Sequence, residues 1–119
     1  MTTCPICNKE IIGRTDKRFC SDKCRAASFY ENKARLTQFK KKVNEILEGN
    51  REILAYLNPQ GKITVNRIDL EKRNFNFKFF SSVYRTKSGN VYWFCYDQGY
   101  RRLQKNEKYL LIRWQDYMW

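Results

Sequence analysis

The stretch that decides the fold at the amino end is Cys4-Pro5-Ile6-Cys7, followed after twelve residues by Cys20-Ser21-Asp22-Lys23-Cys24. Two close cysteine pairs joined by a short loop can place four thiolates around one tetrahedral Zn²⁺, with Zn–S distances of about 2.3 Å. Pro5 fixes the backbone of the first pair, and the i, i+4 spacing of the second pair puts both sulfurs on one face of a helical turn. The spacing therefore predicts a zinc finger with one structural Zn²⁺, held by Cys4, Cys7, Cys20 and Cys24.

The alternatives for these cysteines are disulfide bonds or reduced thiols in a core. No apolar signal segment follows Met1, and the fifth cysteine, Cys95, would be left over, so we expect no disulfides. A finger this small has almost no core. We therefore expect the first 25 residues to need the metal in order to fold.

The residues between the two pairs predict a short β-hairpin that turns from Gly13 to Asp16. A knuckle, a hairpin and a helix that carries ligands together make a treble clef. The segments C-P-I-C-N-K and R-F-C-S-D-K-C-R resemble the small treble-clef zinc proteins of bacteria, including the short inhibitor of DNA gyrase. The whole chain is similar to short bacterial zinc-ribbon proteins of unassigned function. This resemblance implies metal ligation by the same four cysteines. It does not imply gyrase inhibition, because the residues after Cys24 depart from that family.

The composition indicates a small folded protein. A chain of 119 residues makes one small domain, or a finger joined to one, and 42% hydrophobic residues with 16% aromatic exclude general disorder. No run approaches the ~18 apolar residues of a membrane span. We therefore expect a cytoplasmic protein that does not associate with membranes.

The charge is strongly positive. Lys and Arg number 24 against 12 Asp and Glu, which gives a net charge of +12 and a pI near 9.7. Such a field favours nucleic acid, an acidic protein surface or anionic lipid, and nucleic acid is the commonest partner of a basic zinc protein. The same charge could also serve solubility alone.

The remaining pattern predicts an α+β fold, with the finger (residues 1–25) followed by a helical segment (26–58) and a small α+β domain (59–119). A long amphipathic helix should span 22–48 and end at Gly49, and Asn50 should cap a second helix over 51–57. An edge strand at 62–65 and a short helix at 67–73 follow. The sheet is predicted as a three-stranded antiparallel meander, with strands at Phe75 to Phe80, at 91–96 continuing past a bend to Leu103, and at 108–114.

Several basic residues are candidates for contacts with phosphates. Some surround the finger, the Lys40–Lys42 triplet lies across the polar face of the helix, and others alternate with aromatic residues in the sheet. The helix triplet could equally be a solvated face. The predicted nucleic-acid contacts are Arg14, Lys17, Arg18, Lys23, Arg25, Lys40, Lys41, Lys42, Arg85, Arg101 and Arg102.

The aromatic residues of the carboxyl-terminal part allow two interpretations. Residues 75–119 contain fourteen Phe, Tyr and Trp, which could fill a small core and cover the second face of the sheet. Alternatively, Tyr84, Tyr92 and Tyr100 could form a platform on which unpaired bases stack beside the neighbouring arginines.

Catalysis has little support in the sequence. The chain has no histidine, and four cysteine ligands would leave zinc no open position for water. Cys95 lies in a predicted central strand and is expected to be an inert core thiol. We therefore predict no catalytic residue and no small-molecule substrate.

Two functions follow from these patterns. The first is binding of DNA or RNA. The second is a protein-interaction module that docks on an acidic enzyme of nucleic-acid metabolism, with Trp114, Tyr117 and Trp119 as its anchors.

Overall fold

The computed structural model describes residues 3–13, 17–104 and 107–119. The chain divides into two compact units, Met1–Lys41 and Lys42–Trp119, called here the first and second units. One long helix, α1 (Asp22–Leu57), contributes its amino-terminal part to the first unit and its carboxyl-terminal part to the second.

The first unit begins with a tight turn around the first cysteine pair. Thr3 and Glu10 form an isolated antiparallel bridge. The Cys4 N–H donates to the Lys9 carbonyl at 2.8 Å, and the Asn8 N–H donates to the Cys4 carbonyl at 2.9 Å. Within the described part of the predicted hairpin, Glu10 pairs with Thr3 and residues 11–13 and 17–19 form no strand. The predicted hairpin tip lies outside the described residues.

Helix α1 runs through Gly49 without a break, so the predicted helix end at Gly49 and the second helix capped by Asn50 are wrong. Glycine in a helix interior costs about 1 kcal/mol relative to alanine. The buried side chains of Leu47 and Leu54, on either side of Gly49, offset that cost by packing into the core. Asn50 is itself buried, and its side chain bonds to a different segment of the chain.

The second unit contains a five-stranded antiparallel sheet, in which the first strand in the chain lies beside the last, followed by the fourth, third and second. The α+β class is right in outline, but the predicted three-stranded meander is wrong. The predicted edge strand does form and pairs with the last strand of the sheet, Lys62 opposite Ile112. The elements are β1 (Lys62–Asn66), α2 (Arg67–Glu71), β2 (Ser82–Arg85), β3 (Val91–Cys95), β4 (Gln98–Arg102), β5 (Lys108–Arg113) and a 3-10 helix, η1 (Asp116–Met118).

One error in the predicted sheet concerns a tight hairpin. The sequence predicts a single strand over 91–96 that passes a bend at 97–100 and continues to Leu103, but the chain reverses direction at Tyr96 and Asp97. Cys95 therefore pairs with Gln98, and two strands replace one. Tyr96 adopts a φ of 60°, in the left-handed region that normally favours glycine or asparagine.

The other error concerns the phenylalanine-rich segment, which is a loop and not a strand. The Asn50 amide donates to the carbonyls of Asn76 (2.8 Å) and Phe79 (3.1 Å), and its oxygen accepts the Asn76 N–H at 2.9 Å. A buried side chain thus satisfies backbone groups that a neighbouring strand would otherwise pair. Phe75 lies in the core, with its ring centroid 5.2 Å from that of Tyr100.

The two faces of the sheet are covered differently. One face packs on the second-unit part of α1 through a core that includes Leu54, Cys95 and Leu111. On the other face, the fully buried Phe94 lies over Gly99, where a Cβ atom would come within 2.5 Å of the phenylalanine ring. Trp114 covers Phe94 edge-on, with the ring centroids 4.8 Å apart. The carboxyl-terminal segment therefore covers only part of this second face.

Across residues 3–13, 17–104 and 107–119, no helix combines the length and the apolar character that crossing a bilayer requires.

Candidate metal centre and nucleic-acid surface

The sulfur atoms of Cys4, Cys7, Cys20 and Cys24 all lie within 4.8 Å of one another and could hold a metal ion. The Cys7 and Cys20 sulfurs are 3.3 Å apart, and the Cys20 and Cys24 sulfurs are 3.5 Å apart. None of the chain's five cysteines, all in the described part, forms a disulfide. The two pairs that the sequence singled out therefore form one cluster.

Local backbone structure positions each pair. The turn enclosed by the Thr3–Glu10 bridge contains Cys4, which is fully buried. The second pair lies at the start of α1, where the Ser21 hydroxyl oxygen accepts the Cys24 N–H at 3.3 Å. This is the N-cap arrangement, in which a serine just before a helix bonds to the third helical residue. The cap fixes Cys24 one helical turn after Cys20.

The cluster favours a thiolate at Cys4. Burial alone would raise the pKa of the Cys4 thiol, but hydrogen bonds from the backbone of Cys20, Cys7 and Ile6 lower that pKa to about 6. The backbone of Lys9 lowers the pKa of Cys7, but the Cys20 thiol and burial outweigh it and raise the pKa above its ordinary value. These backbone hydrogen bonds therefore favour the Cys4 thiolate, and thiolate is the form that binds a metal.

The predicted basic contacts of the first unit are mostly exposed and do not converge on one point. Arg14 lies outside the described residues. Arg18, Lys23 and Arg25 are exposed and Lys17 is half-buried. The Arg25 guanidinium lies 3.7 Å from the Asp22 carboxylate, so part of its charge is neutralised. The Lys40–Lys42 triplet is exposed along α1.

The three tyrosines of the predicted aromatic platform do not lie on one face of the sheet. Tyr100 is only 5% exposed and belongs to the core beneath α1, so it is not available for stacking. Tyr84 and Tyr92 are directly opposite each other in the β2–β3 pair and share the second face. Arg101 lies on that face, 5.6 Å from the Tyr92 ring centroid, and donates to the Asn90 side-chain oxygen at 2.9 Å. The exposed Arg85 and Arg102 occupy alternate positions, which face the other side.

The sequence did not predict a cavity of about 500 Å³ that lies on this second face. Its lining combines three tyrosines with three basic residues, and no carboxylate occurs among the lining residues, all of them described. Those six are Tyr84, Tyr92, Tyr117, Lys62, Lys87 and Arg113. No sequence signal could have joined them, because the cavity depends on the unpredicted β4 and on the return of η1 over the sheet.

Comparisons with protein-family models, with curated proteins and with solved structures found no match for this chain.

Proposed function

We propose that this protein binds one structural Zn²⁺ in its cysteine cluster and binds nucleic acid through its basic surfaces. The proposal describes a binding protein, not an enzyme. The observation that carries it is the uncompensated positive charge: the chain has a net charge of +12, and only four ion pairs form within the described residues.

Zinc is the metal that the donor set favours. Four cysteine sulfurs in a small finger form a typical structural zinc site, and in a tetrahedron with Zn–S near 2.3 Å the sulfurs would lie about 3.8 Å apart. The observed distances of 3.3 and 3.5 Å, within a cluster no wider than 4.8 Å, are compatible with small adjustments toward that geometry. Zinc bound to four thiolates is closed to substrate, so it supplies folding energy and no reaction.

Nucleic acid is the partner that the charge favours. Lysines 40 to 42 are exposed, and they have no carboxylate partner in the described part of the chain. Cations of this kind bind phosphates by displacing condensed counterions, which makes the affinity depend steeply on salt. Either DNA or RNA satisfies this chemistry.

The proposal is tested by measuring the affinity of zinc-loaded protein for fluorescent oligonucleotides over a salt series. We expect a linear fall of log K with log salt concentration for duplex DNA. The variant Lys40→Gln/Lys41→Gln/Lys42→Gln should reduce that slope by about 2 to 3, at roughly 0.9 for each phosphate that the variant no longer neutralises. A wild-type protein that binds neither DNA nor RNA at low salt would overturn the proposal.

The matched control removes the same charge elsewhere. Lys72, Lys78 and Lys108 are exposed lysines of the second unit. Replacing them by Gln lowers the net charge equally, so a general field effect would change both variants alike. A slope that falls only in the Lys40–Lys42 variant assigns the phosphate binding to α1.

A second candidate function is docking on an acidic protein, and the exposed apolar side chains of α1 favour it. Phe29, Leu36 and Phe39 are 62, 52 and 66% exposed. Phe29 and Leu36 are seven residues apart, and Leu36 and Phe39 are three residues apart. This spacing puts all three on one helical face, as in the seam of a coiled coil. Trp114, a predicted anchor, packs on Phe94 instead, whereas Tyr117 and Trp119 are exposed.

The charges beside this seam select its occupant. Lys33 and Lys40 flank one edge, and Arg35, which forms an ion pair with Glu31, flanks the other. An antiparallel second copy of the helix would therefore bring together Lys33 and Lys40 of the two copies, which have no ion-pair partner within the described residues. We propose that the occupant is an amphipathic helix with glutamates at its flanking positions. A designed peptide of that pattern should bind the wild-type protein and lose affinity for Phe29→Ser/Phe39→Ser. Equal binding of a lysine-flanked peptide, or self-association through this seam, would contradict the assignment.

A further inference from the structure

We propose that the cavity on the second face of the sheet binds a single unpaired nucleotide of a nucleic-acid strand. This inference rests on the proposed nucleic-acid binding and adds a location and a preference for single strands. It would hold one flat base against tyrosine rings and one or two phosphates against basic side chains.

The position of the cavity follows from strand register. Tyr84 and Tyr92 are directly paired in β2 and β3, and their side chains share one face. On the far side of the sheet, Lys62 of β1 pairs with Ile112 of β5. Both pairs line the same cavity, and η1 borders it through Tyr117. The cavity is therefore a built feature of the sheet with an aromatic end and a basic end.

The aromatic end is suited to stacking. Tyr117 is 75% exposed, and its ring centroid lies 6.3 Å from that of Tyr84, with the rings inclined at 69°. Tyr84 is supported from behind by Trp114, at a centroid distance of 6.4 Å. The exposed Tyr117 ring thus offers a base a stacking surface, and the packed Tyr84 ring beside it offers an edge. Stacking of this type tolerates any base, because every base has an aromatic face.

The basic end is suited to phosphate. The Arg113 guanidinium donates to the carbonyls of Pro59 at 2.6 Å and Asn58 at 3.4 Å. Arg113 is two residues from the core residue Leu111, so its side chain starts on the face that α1 covers, and the carbonyls just after α1 hold its guanidinium on that side. The positive charge at this end of the cavity therefore comes from Lys62 and Lys87. Lys62 and Lys87 are free of carboxylate partners within the described residues. The lining thus favours an anionic group and disfavours a cationic one.

The size and shape of the cavity favour an unpaired base. A volume of about 500 Å³ falls within the range of ~300–1,000 Å³ that small-molecule sites occupy. Bases inside a duplex present only their edges, whereas those of a single strand can be splayed out and stacked on aromatic side chains. A duplex can reach the lysines at the rim but cannot insert a base.

The test uses full-length, zinc-loaded protein with a fluorescent ten-nucleotide dT or rU strand and a duplex of equal length. Tyr117→Ala should weaken single-strand binding about tenfold, since one stacked base contributes roughly that factor, and should leave the salt slope unchanged. Lys62→Gln/Lys87→Gln should reduce the slope by about 1.4, at roughly 0.7 per phosphate on single strands. Tyr117→Ala should leave the duplex affinity unchanged.

Matched controls separate the cavity from the general surface. Tyr56→Ala removes a tyrosine of similar exposure, 69%, that does not line the cavity, and Lys72→Gln/Lys78→Gln removes the same charge elsewhere in the second unit. Thermal melts of every variant establish that the fold is retained. If Tyr117→Ala disturbs it, the lysine variant and its slope provide the test alone.

The outcomes distinguish this inference from the proposed function. If wild-type protein binds strands with a salt slope but both cavity variants behave like their controls, the cavity is excluded and nucleic-acid binding stands. If wild-type protein binds no strand, both the proposed nucleic-acid binding and the assignment of the cavity fail. If free UMP binds as tightly as the strand and shifts the ring signals of Tyr84 and Tyr117, the ligand is a mononucleotide and the assignment to a strand is overturned.

Discussion

Replacing Asn50 by Ala should lower the free energy of unfolding of the second unit far more than the loss of an ordinary polar side chain does. Asn50 is only 2% exposed, and its side chain makes three hydrogen bonds to the backbone of residues 76 and 79. Each hydrogen bond contributes about 0.5–1.5 kcal/mol net, and buried groups left without partners cost about 1–3 kcal/mol each. Because water can replace part of this bonding, we expect Asn50→Ala to lower the free energy of unfolding by about 3 to 5 kcal/mol.

The assay is urea unfolding followed by tryptophan fluorescence. All three tryptophans of the chain lie in the second unit, so the signal reports on that unit. Gly49→Ala is the control, since it changes the preceding residue of the same helix and a Cβ there meets nothing within 4 Å. It should stabilise the protein by about 0.5–1 kcal/mol through helix propensity. An Asn50→Ala variant within about 1 kcal/mol of wild type would refute the structural role of Asn50, and a destabilising Gly49→Ala would refute the continuous helix.

Three further predictions concern the metal, the sheet and pH. Native metal-loaded protein should resist alkylation at all five cysteines, and removal of the metal by a chelator should expose the four cysteines of the finger. Cys95, whose pKa is raised to about 11 by burial, should react only after denaturation. Mass spectrometry counts the alkyl groups added, and a fifth adduct before denaturation would contradict the burial of Cys95. Gly99→Ala should cost about 1–3 kcal/mol in the same urea assay, because its Cβ would lie 2.5 Å from the Phe94 ring, and a neutral result would mean that the ring has room to move. Hydrogen bonds from Arg51 hold the pKa of Asp97 below its ordinary value, so the pair stabilises the fold above the unfolded pKa near 4 and loses that effect as pH falls through the lower folded pKa. The difference in urea midpoint between wild type and Arg51→Met should therefore be constant above about pH 5 and shrink progressively as the pH is lowered below that value, and a difference that stays constant in acid would exclude the pair as the cause.

The cysteine cluster could be predicted because its geometry is local. The spacing of each pair and the turn or helix that contains it are properties of a few adjacent residues, and the structure brings all four sulfurs within 4.8 Å. The edge strand predicted at residues 62–65 forms as Lys62–Asn66, and it was predictable for the same reason, since a β-branched run follows a turn that contains proline and glycine.

The rest of the sheet depends on distant contacts. The alternation of Phe75, Phe77 and Phe79 predicts a strand because burial on one side usually means a sheet, but here the aromatic side chains pack while Asn50 takes the backbone bonds. The two turn residues of the β3–β4 hairpin, Tyr96 and Asp97, are neither glycine nor asparagine, so the left-handed conformation of Tyr96 gives no local signal. The cavity forms only when all of these elements are in place, so no single stretch of sequence predicts it.

The position of β5 between β1 and β4 has a consequence for synthesis of the chain. β5 is translated after the other four strands, so until it emerges from the ribosome the edges of β1 and β4 have nothing to pair with. The finger has no such dependence, because its ligands all precede residue 25. We therefore expect the finger to fold early and the sheet late. Until β5 pairs with them, β1 and β4 present unpaired strand edges, and the repulsion between the lysines and arginines of neighbouring nascent chains opposes their association.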